Sequence, residues 1–523
     1  MIRAVFGDAL LNPATGEVTR QAVVIIEEGR VTKAGARNGT QVPRDAETID
    51  AAGLTLLPGL IDCHVHLTNL GEGLDFAREL TTPPTLELMR AVRAARRTLD
   101  AGFTAVRDAA GSPAGIRMAI DAGYFPGPRM FVTVSALSQT GGHTDSHFMC
   151  GADLDIPLPD RPYMVVDGVE NMRMRVREVI RAGADWIKLC TSGGVLSPGD
   201  QPHHSALTLE EIRAAVEEAG VQGRKVMAHA QANAGIKNAL KAGVATIEHG
   251  IWLDGDAIEM MLDGHNALIP TLVAPHWVIR HAEAGKMPAY AIGKARAVID
   301  DHKASVKQAI ESGVKIAFGT DTGVGPHGSN GEEFLLMRDL GMKPLDCIRS
   351  ATTVAAETIG MKGAGSLEPG AWGDVIGVPG DPVADLSLLA NAADAPPNGL
   401  VYILGAGFDT LIRDQFPTPF GGVIVLRLQT TRLETERPHK VEVHCADEDG
   451  KLVLPNPIVL NLPARQVPAD YPHGWDLSAS IVINLASVPI ERPGFYNFEI
   501  MIDNQQVRTL PFRAVKAAAA QTV

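Results

Sequence analysis

The sequence predicts an α/β protein: a (β/α)8 TIM barrel, a small β-domain built from both flanks of the barrel, and a C-terminal all-β sandwich-like module. Three observations predict it. Over about 300 residues, short apolar runs alternate with amphipathic segments of about 10 to 18 residues, which is typical of βα units around a parallel sheet. Short strands with turns flank this region on both sides. Towards the C-terminus only strand-like segments separated by turn residues remain.

Eight apolar runs have the length of barrel strands. They are residues 55–66, 104–108, 130–135, 186–189, 226–229, 246–249, 267–272 and 316–321. An open doubly wound sheet is the structural alternative, but no G-x-G-x-x-G motif follows the first strand.

Composition and turn residues predict the domain bounds. Residues 1–55 with 363–413 are expected to form the small β-domain, and residues 56–362 the barrel. Residues 414–422 contain two prolines and two adjacent glycines, which is typical of a linker. Residues 423–523 are expected to form an all-β module, for which a binding or oligomerisation role stays open.

Composition restricts the class of protein. The chain has 523 residues, 45% of them hydrophobic and 21% charged, which is typical of a globular protein. The net charge of −14 argues against a nucleic-acid partner, because phosphate binding needs clustered Lys and Arg. The five cysteines are scattered, and neither a signal peptide nor a membrane span is apparent. We therefore expect a cytoplasmic homo-oligomer that acts on a small molecule, without a membrane partner.

Histidines at predicted strand ends indicate a metal site. His64 and His66 are two residues apart and so point to the same side of a strand. Alone, such a pair also fits a solvated strand face. His229, His249 and Asp321 end later strands, however, and the carboxyl ends of barrel strands converge on one site. Together these residues predict metal binding.

Five motifs carry a resemblance to a known family. They are PGLIDCHVH at 58–66, IKLCTSGG at 187–194, AHA at 228–230, IEHG at 247–250 and GTD at 319–321. With them, residues of about 1–413 resemble the amidohydrolase superfamily. The similarity is to its imidazolonepropionase-like branch, which includes Xaa-Pro or Xaa-Arg dipeptidases (prolidases and carboxypeptidases). The C-terminal module lies outside the resemblance.

The resemblance implies two divalent metal ions, with zinc as the expected metal. Its implied ligands are His64 and His66 for one ion, His229 and His249 for the other, Lys188 as a bridging carbamate formed with carbon dioxide, and Asp321 on the first ion. Carboxylation is needed because an ammonium group has no lone pair to offer a cation. The alternative is an unmodified Lys188, salt-bridged at the barrel mouth beside a single metal ion.

The implied reaction is hydrolysis of an acyclic amide bond. Metal-bound hydroxide would attack the carbonyl carbon, and Asp321 would act as general base and then general acid. Dipeptides and N-acyl amino acids are the expected substrates, with aryl amides as related ones. One alternative is a mononuclear hydrolase of cyclic amides or imidazolones. The other is a barrel kept as a non-enzymatic scaffold for the β-module.

Three loop residues are candidate substrate contacts. The resemblance implies that His143 stabilises the oxyanion and that His327 and Asn330 line the substrate pocket. Loop capping and turn formation are equally compatible with each of them.

Overall fold

The computed structural model of the chain describes residues 2–155, 157–379, 387–394, 402–406, 410–430, 438–464, 477–503 and 505–517. The strands in the first part of the chain are β1 (Ile2–Leu11), β2 (Val18–Glu27), β3 (Arg30–Ala36), β4 (Glu47–Pro58), β5 (Leu60–Val65), β6 (Phe103–Asp108), β7 (Arg129–Val132), β8 (Ala136–Leu137), β9 (Trp186–Cys190), β10 (Lys225–Ala230), β11 (Thr246–His249), β12 (Ala267–Ile269), β13 (Lys315–Ile316) and β14 (Val375–Pro379). The later strands are β15 (Ser387–Asp394), β16 (Tyr402–Ala406), β17 (Thr410–Arg413), β18 (Thr418–Pro419), β19 (Val423–Thr430), β20 (His439–Asp447), β21 (Ile458–Leu462), β22 (Leu477–Asn484), β23 (Pro489–Ile490), β24 (Gly494–Ile502) and β25 (Gln505–Lys516). The helices are α1 (Phe76–Thr81), α2 (Pro84–Asp100), α3 (Ala114–Asp121), α4 (Val169–Arg181), α5 (Leu209–Val221), α6 (Asn233–Ala242), α7 (Gly255–Asp263), α8 (Val273–Glu283), α9 (Ala289–Glu311), α10 (Glu332–Asp339), α11 (Pro344–Ser350) and α12 (Thr353–Ile359), and a 3-10 turn spans Arg37–Gly39.

The barrel consists of parallel strands in the predicted order. β6 pairs with β5 on one side and with β7 on the other, and β8 to β13 form a second parallel sheet. Backbone hydrogen bonds close the ring: the amide of Asp185 donates to the carbonyl oxygen of Val132 at 2.8 Å, and that of Cys63 donates to Phe318 at 2.9 Å. The predicted (β/α)8 barrel is confirmed.

Helices with one apolar face cover the barrel, as α5 illustrates. The side chain of Thr208 accepts from the backbone amide of Glu211, whose carboxylate accepts from the amide of Thr208 in return. This capping box satisfies amides that the first helical turn leaves without partners. Ile212 and Ala219 of the same helix are buried against the strands. Among the described residues, none of the helices combines the length and apolarity needed to cross a lipid bilayer.

The first predicted barrel strand, residues 55–66, is divided in the structure. β4 belongs to a five-stranded sheet of order β14-β4-β1-β2-β3, whereas β5 belongs to the barrel. Gly59 separates them, and its amide donates to the carbonyl oxygen of Asp374 at 2.8 Å. A Cβ atom at Gly59 would lie 1.9 Å from Oγ1 of Thr104, so only glycine fits where the chain crosses from one sheet to the other.

The C-terminal strands form two sheets that share one core. Their orders are β16-β15-β19-β22 and β17-β25-β24-β20-β21. The buried side chains between them include Ile424 and Ile483 from the first sheet and Val443, Phe498 and Phe512 from the second. The predicted all-β sandwich-like module is present.

Strand pairing corrects the expected grouping of residues 363–413. β14 pairs with β4, as expected for the small β-domain. β15 instead pairs with β19, and β17 pairs with β25. β16 in turn pairs with β15. Burial of apolar side chains such as Leu411 in the sandwich core accounts for this exchange of partners.

The expected linker 414–422 is also part of the sandwich. β18 within it pairs with β23, and Phe420 is fully buried. Its ring contacts the rings of Phe498 and Phe512, with centroids 5.1 and 4.9 Å away. The prolines and glycines of this segment therefore shape an ordered turn of the module.

This pairing predicts where the chain can be shortened. A chain that ends after Arg413 keeps β15 and β17 without β19 and β25, so their unpaired edges and Leu411 become exposed. We expect it to aggregate more than a chain that ends after Pro379, as measured by size exclusion with light scattering. Equal monodispersity of the two truncated chains would contradict this pairing.

Candidate active site

The six predicted metal ligands line one cavity at the carboxyl ends of the barrel strands. His64 lies in β5 and His66 directly follows it, whereas the other four come from later strands or from the residues after them. They are Lys188 in β9, His229 in β10, His249 at the end of β11, and Asp321 beyond β13. Residues that are 257 positions apart in the chain (64 to 321) thus share one site, as parallel barrel strands require.

His64, His66 and Asp321 offer ligand atoms that lie within 4.8 Å of one another. Oδ1 of Asp321 is 3.1 Å from Nε2 of His66 and 3.5 Å from Nε2 of His64. This oxygen is buried and makes no well-aligned hydrogen bond within the described part of the chain. A buried carboxylate oxygen that faces two imidazole nitrogens in this way fits a metal ion as its missing partner.

Each of the four histidines uses one ring nitrogen on a protein partner. Nδ1 of His64 lies 2.7 Å from Oε2 of Glu248, and Nδ1 of His66 lies 3.0 Å from the carbonyl oxygen of Ala110. The other contacts are Nδ1 of His249 with Oγ1 of Thr271 at 2.7 Å, and Nε2 of His229 with the carbonyl oxygen of Gly193 at 3.0 Å. The second nitrogen of each ring remains available as a ligand.

The backbone is held in an uncommon conformation at several of these positions. His249 and Asp321 have φ of +72° and +60°, and Thr271 has φ of +49°. Residues other than glycine rarely adopt positive φ, and for a β-branched residue such as Thr271 this conformation is unfavourable. The surrounding barrel imposes this conformation, which aims three polar side chains at the site.

Burial keeps the histidines in the form that binds metals. Desolvation is the main reason why the pKa values of His64, His229 and His249 lie well below the ordinary value of imidazole, and the positive charge of Lys188 adds to it. These rings are therefore neutral at neutral pH, as ligation requires.

Lys188 is an unusual residue for a barrel interior. Its side chain is 3% exposed, and Nζ lies 3.4 Å from Nε2 of His64. Within the described residues no carboxylate forms an ion pair with it. Burial lowers the pKa of Lys188, although the charges of Glu248 and Asp321 partly oppose this effect. The neutral amine is consequently more populated than in a solvated lysine.

A buried ion pair beneath the site was not anticipated from the sequence. Arg107 and Glu248 are both fully buried, and Nη2 of Arg107 donates to the two carboxylate oxygens of Glu248 at 2.9 and 3.2 Å. Glu248 in turn holds Nδ1 of His64. The sequence did contain an indication of this pair: Arg107 and Glu248 are charged residues inside the apolar segments 104–108 and 246–249. A charge buried within a strand is costly unless it has a partner of opposite charge.

His143 lies on the cavity wall, as expected for a substrate contact. Its ring stacks on that of His229 with centroids 4.2 Å apart, and Nδ1 lies 2.8 Å from Oγ of Ser197. A Cβ atom at Gly194 would lie 2.1 Å from Cε1 of His143, so the glycine leaves room for the ring. Burial lowers the pKa of His143 to about 4.

The structure does not bring His327 and Asn330 to the cavity wall. Asn330 is fully buried, and its Nδ2 donates to Asp62 at 2.8 Å and to Oγ1 of Thr322 at 3.2 Å. His327 contacts the carbonyl oxygen of Asn69 through Nε2 at 2.9 Å. The polar groups of both residues contact β5, the loop after it and Thr322, so we reassign them to anchoring the loop beyond β13 to β5.

Comparison with known proteins identifies the family. A sequence profile described as the amidohydrolase family matches residues 55–402, which is more than half of the chain. The chain belongs to the amidohydrolase family. It is therefore a hydrolase that acts on carbon–nitrogen bonds, in a family that depends on metals, and the resemblance predicted from the five motifs is confirmed. A second profile, a family of unknown function called DUF6941, matches residues 385–515 and thus the sandwich strands from β15 onward.

Individual relatives support the same assignment. Ochratoxinase from Aspergillus niger is 32% identical over 397 residues, which are 72% of this chain and 82% of that protein. The structure of a Xaa-Pro dipeptidase with bound methionine in the active site is 30% identical with a TM-score of 0.67, covering 77% of this chain and all of that one. The structure of a prolidase complexed with N-methylphosphonate-L-proline is 35% identical with a TM-score of 0.68, covering 73% and 94%.

Removal of the carboxylate beneath His64 tests the role of the ion pair. Glu248→Gln leaves Arg107 buried without a counter-charge, and it weakens the hydrogen bond that holds the ring of His64 in place. We expect metal affinity to fall by about 10–100-fold and stability by about 3–5 kcal/mol, measured by metal analysis after dialysis and by denaturant unfolding. Glu259→Gln on the exposed side of α7 is the matched control. Unchanged metal affinity in Glu248→Gln would contradict the positioning role.

Proposed function

We propose that the protein is a binuclear metal-dependent amidohydrolase that cleaves an acyclic amide bond of dipeptides or N-acyl amino acids, with aryl amides as related substrates. The observation that carries the proposal is that all six candidate ligands line one cavity. The prolidase and Xaa-Pro dipeptidase structures are similar to this chain and support a peptide-like amide as the substrate class.

The two metal ions would divide the ligands between them. His64, His66 and Asp321 would hold the first ion, and His229 and His249 the second. Lys188 would join the two as a carbamate, since a neutral amine is the form that reacts with carbon dioxide. When bound, the ions, with zinc as the expected metal, supply Lewis acidity and lower the pKa of bound water.

Asp321 is suited to move protons during the reaction. Burial by itself would raise the pKa of this carboxyl group, but the neighbouring His64 and His66 hold it below its ordinary value. Asp321 is thus ionised at neutral pH and ready to accept a proton from the attacking water. It would then pass that proton to the nitrogen of the leaving amine.

The hydrogen bonds of His143 modify its expected role. Ser197 donates its hydroxyl proton to Asp200, so its oxygen is left to accept the Nδ1 proton of His143. In a neutral ring the remaining nitrogen, Nε2, is then an acceptor. We infer that His143 presents a hydrogen-bond acceptor at Nε2, and that donation to an oxyanion would require a protonated ring.

The carbamate is tested by Lys188→Ala. We expect the metal content to fall from two ions to one per chain. We also expect kcat/KM for an N-acyl amino acid or dipeptide to fall by about 100-fold or more. Lys225→Ala, at the first residue of β10, is the control. Carbon-13 bicarbonate should give a carbamate NMR signal in the unchanged protein and none in Lys188→Ala. Full activity with one metal ion in both proteins would favour the mononuclear alternative.

The proton-transfer role is tested by Asp321→Asn. The amide cannot accept the proton, so we expect kcat to fall by at least about 100-fold, with a smaller change in KM. Metal content is measured in parallel, because Asp321 is also a candidate ligand. Asp263→Asn, on the exposed end of α7, is the control. Retention of kcat in a metal-loaded Asp321→Asn protein would exclude this role.

A further inference from the structure

The cavity has one continuous apolar wall. A hydrophobic cluster from the loops after β9 and β11, from α8 and α9, and from the segment after β13 forms it. The side chains of this wall are Val195, Leu196, Ile251, Ala274, Val278, Val298 and Val324. Such a wall favours an apolar substrate group, because burial of apolar surface stabilises the complex.

Within the described residues, the cavity lining contains no cation that could pair with a substrate carboxylate. Lys188 is the one lysine or arginine among the lining residues, and it lies among the candidate metal ligands. The nearby Lys294 is buried, and its Nζ donates to the carbonyl oxygens of Gly194, Ser197 and Asp200. A free carboxylate placed against the apolar wall would therefore lose water without meeting a side chain of opposite charge there, which is unfavourable.

Gln231 adds an uncharged polar group to the same cavity. It directly follows β10, and it lines the cavity with a side chain that is 5% exposed. Its backbone is held on both sides, since its amide donates to Oγ of Ser192 at 2.8 Å and its carbonyl oxygen accepts from Trp252 at 3.1 Å. Its side-chain Oε1, by contrast, is buried without a hydrogen-bond partner in the described part of the chain. Buried acceptors are normally paired, so a bound ligand is a fitting partner.

We propose that the pocket selects uncharged amides: an apolar group lies against the Val195–Val324 wall, and Gln231 accepts a hydrogen bond from the substrate N–H. This inference rests on the proposed amide hydrolysis and ranks its substrates: alkyl and aryl amides without a free carboxylate react faster than dipeptides and N-acyl amino acids, which carry one. The cavity volume of about 190 Å³ limits the substrate to a small molecule.

Two matched substrate pairs test the charge preference. N-acetylphenethylamine differs from N-acetyl-L-phenylalanine only by the absent carboxylate, and acetanilide differs in the same way from 4-acetamidobenzoate. With the metal-loaded full chain, we expect kcat/KM to be at least tenfold higher for the uncharged member of each pair. An equal or higher value for the acids would overturn the proposal.

Binding measurements separate the two proposals. If none of the four compounds is hydrolysed, the proposed function fails for these amides. Calorimetric binding of the same compounds then decides the pocket preference by itself: tighter binding of the uncharged members supports the inference, and tighter or equal binding of the acids overturns it.

Gln231→Leu tests the hydrogen bond. We expect about a tenfold loss in binding affinity for acetanilide, and a matching loss in kcat/KM, but little change in the binding affinity for N-methylacetanilide, which has no N–H group to donate. Gln222→Leu, at the exposed end of α5, is the matched control. An equal loss of affinity for both compounds, or no loss for either, would remove Gln231 from substrate recognition.

Discussion

The ion pair of Arg107 and Glu248 is the interaction on which the geometry of the site depends. Arg107 belongs to β6, yet its guanidinium group reaches three other strands of the barrel. It donates to the carbonyl oxygen of Cys63 at 2.8 Å and to Oγ1 of Thr246 at 3.2 Å, and it lies over the ring of Trp186 at 4.6 Å. One side chain therefore ties β5, β9 and β11 together below the site.

Such a pair does not exist for stability alone. Two charges pay a large desolvation cost when they are buried, and well-packed apolar residues often replace them without loss. What an apolar pair could not provide is the carboxylate at 2.7 Å from Nδ1 of His64. The contact with Glu248 fixes which nitrogen of His64 faces the cavity. Most metal-binding histidines donate their other ring N–H to a carboxylate, a carbonyl group or water, which orients the ring. We interpret the ion pair as a device for orientation.

The same burial that fixes the ligands also sets the character of the pocket. Desolvation holds several histidines neutral and lowers the pKa of Lys188. One wall of the cavity is apolar, and the nearby Lys294 donates to three backbone carbonyl groups and pairs with Asp200. Charge within the cavity is thus concentrated at the ligand positions. The chemistry of amide hydrolysis and the choice of an uncharged substrate would then follow from one low-dielectric environment.

Local sequence was sufficient for the barrel and for the candidate ligands. Apolar runs of strand length identified the barrel strands except the two-residue β8, and the i, i+2 spacing of His64 and His66 placed both on one side of a strand, because these features depend only on neighbours along the chain. Contacts between distant segments were decided by the tertiary structure. The side chain of Thr104 makes Gly59 the dividing point of a predicted single strand, and the sandwich core draws β15 and β17 away from the N-terminal sheet. Asn330 turns to Asp62 instead of the cavity, and Arg107 finds Glu248 across the barrel. These two pairs of buried polar partners lie 268 and 141 positions apart, and no periodicity along the chain encodes that they meet, since the closure of the barrel alone brings them together.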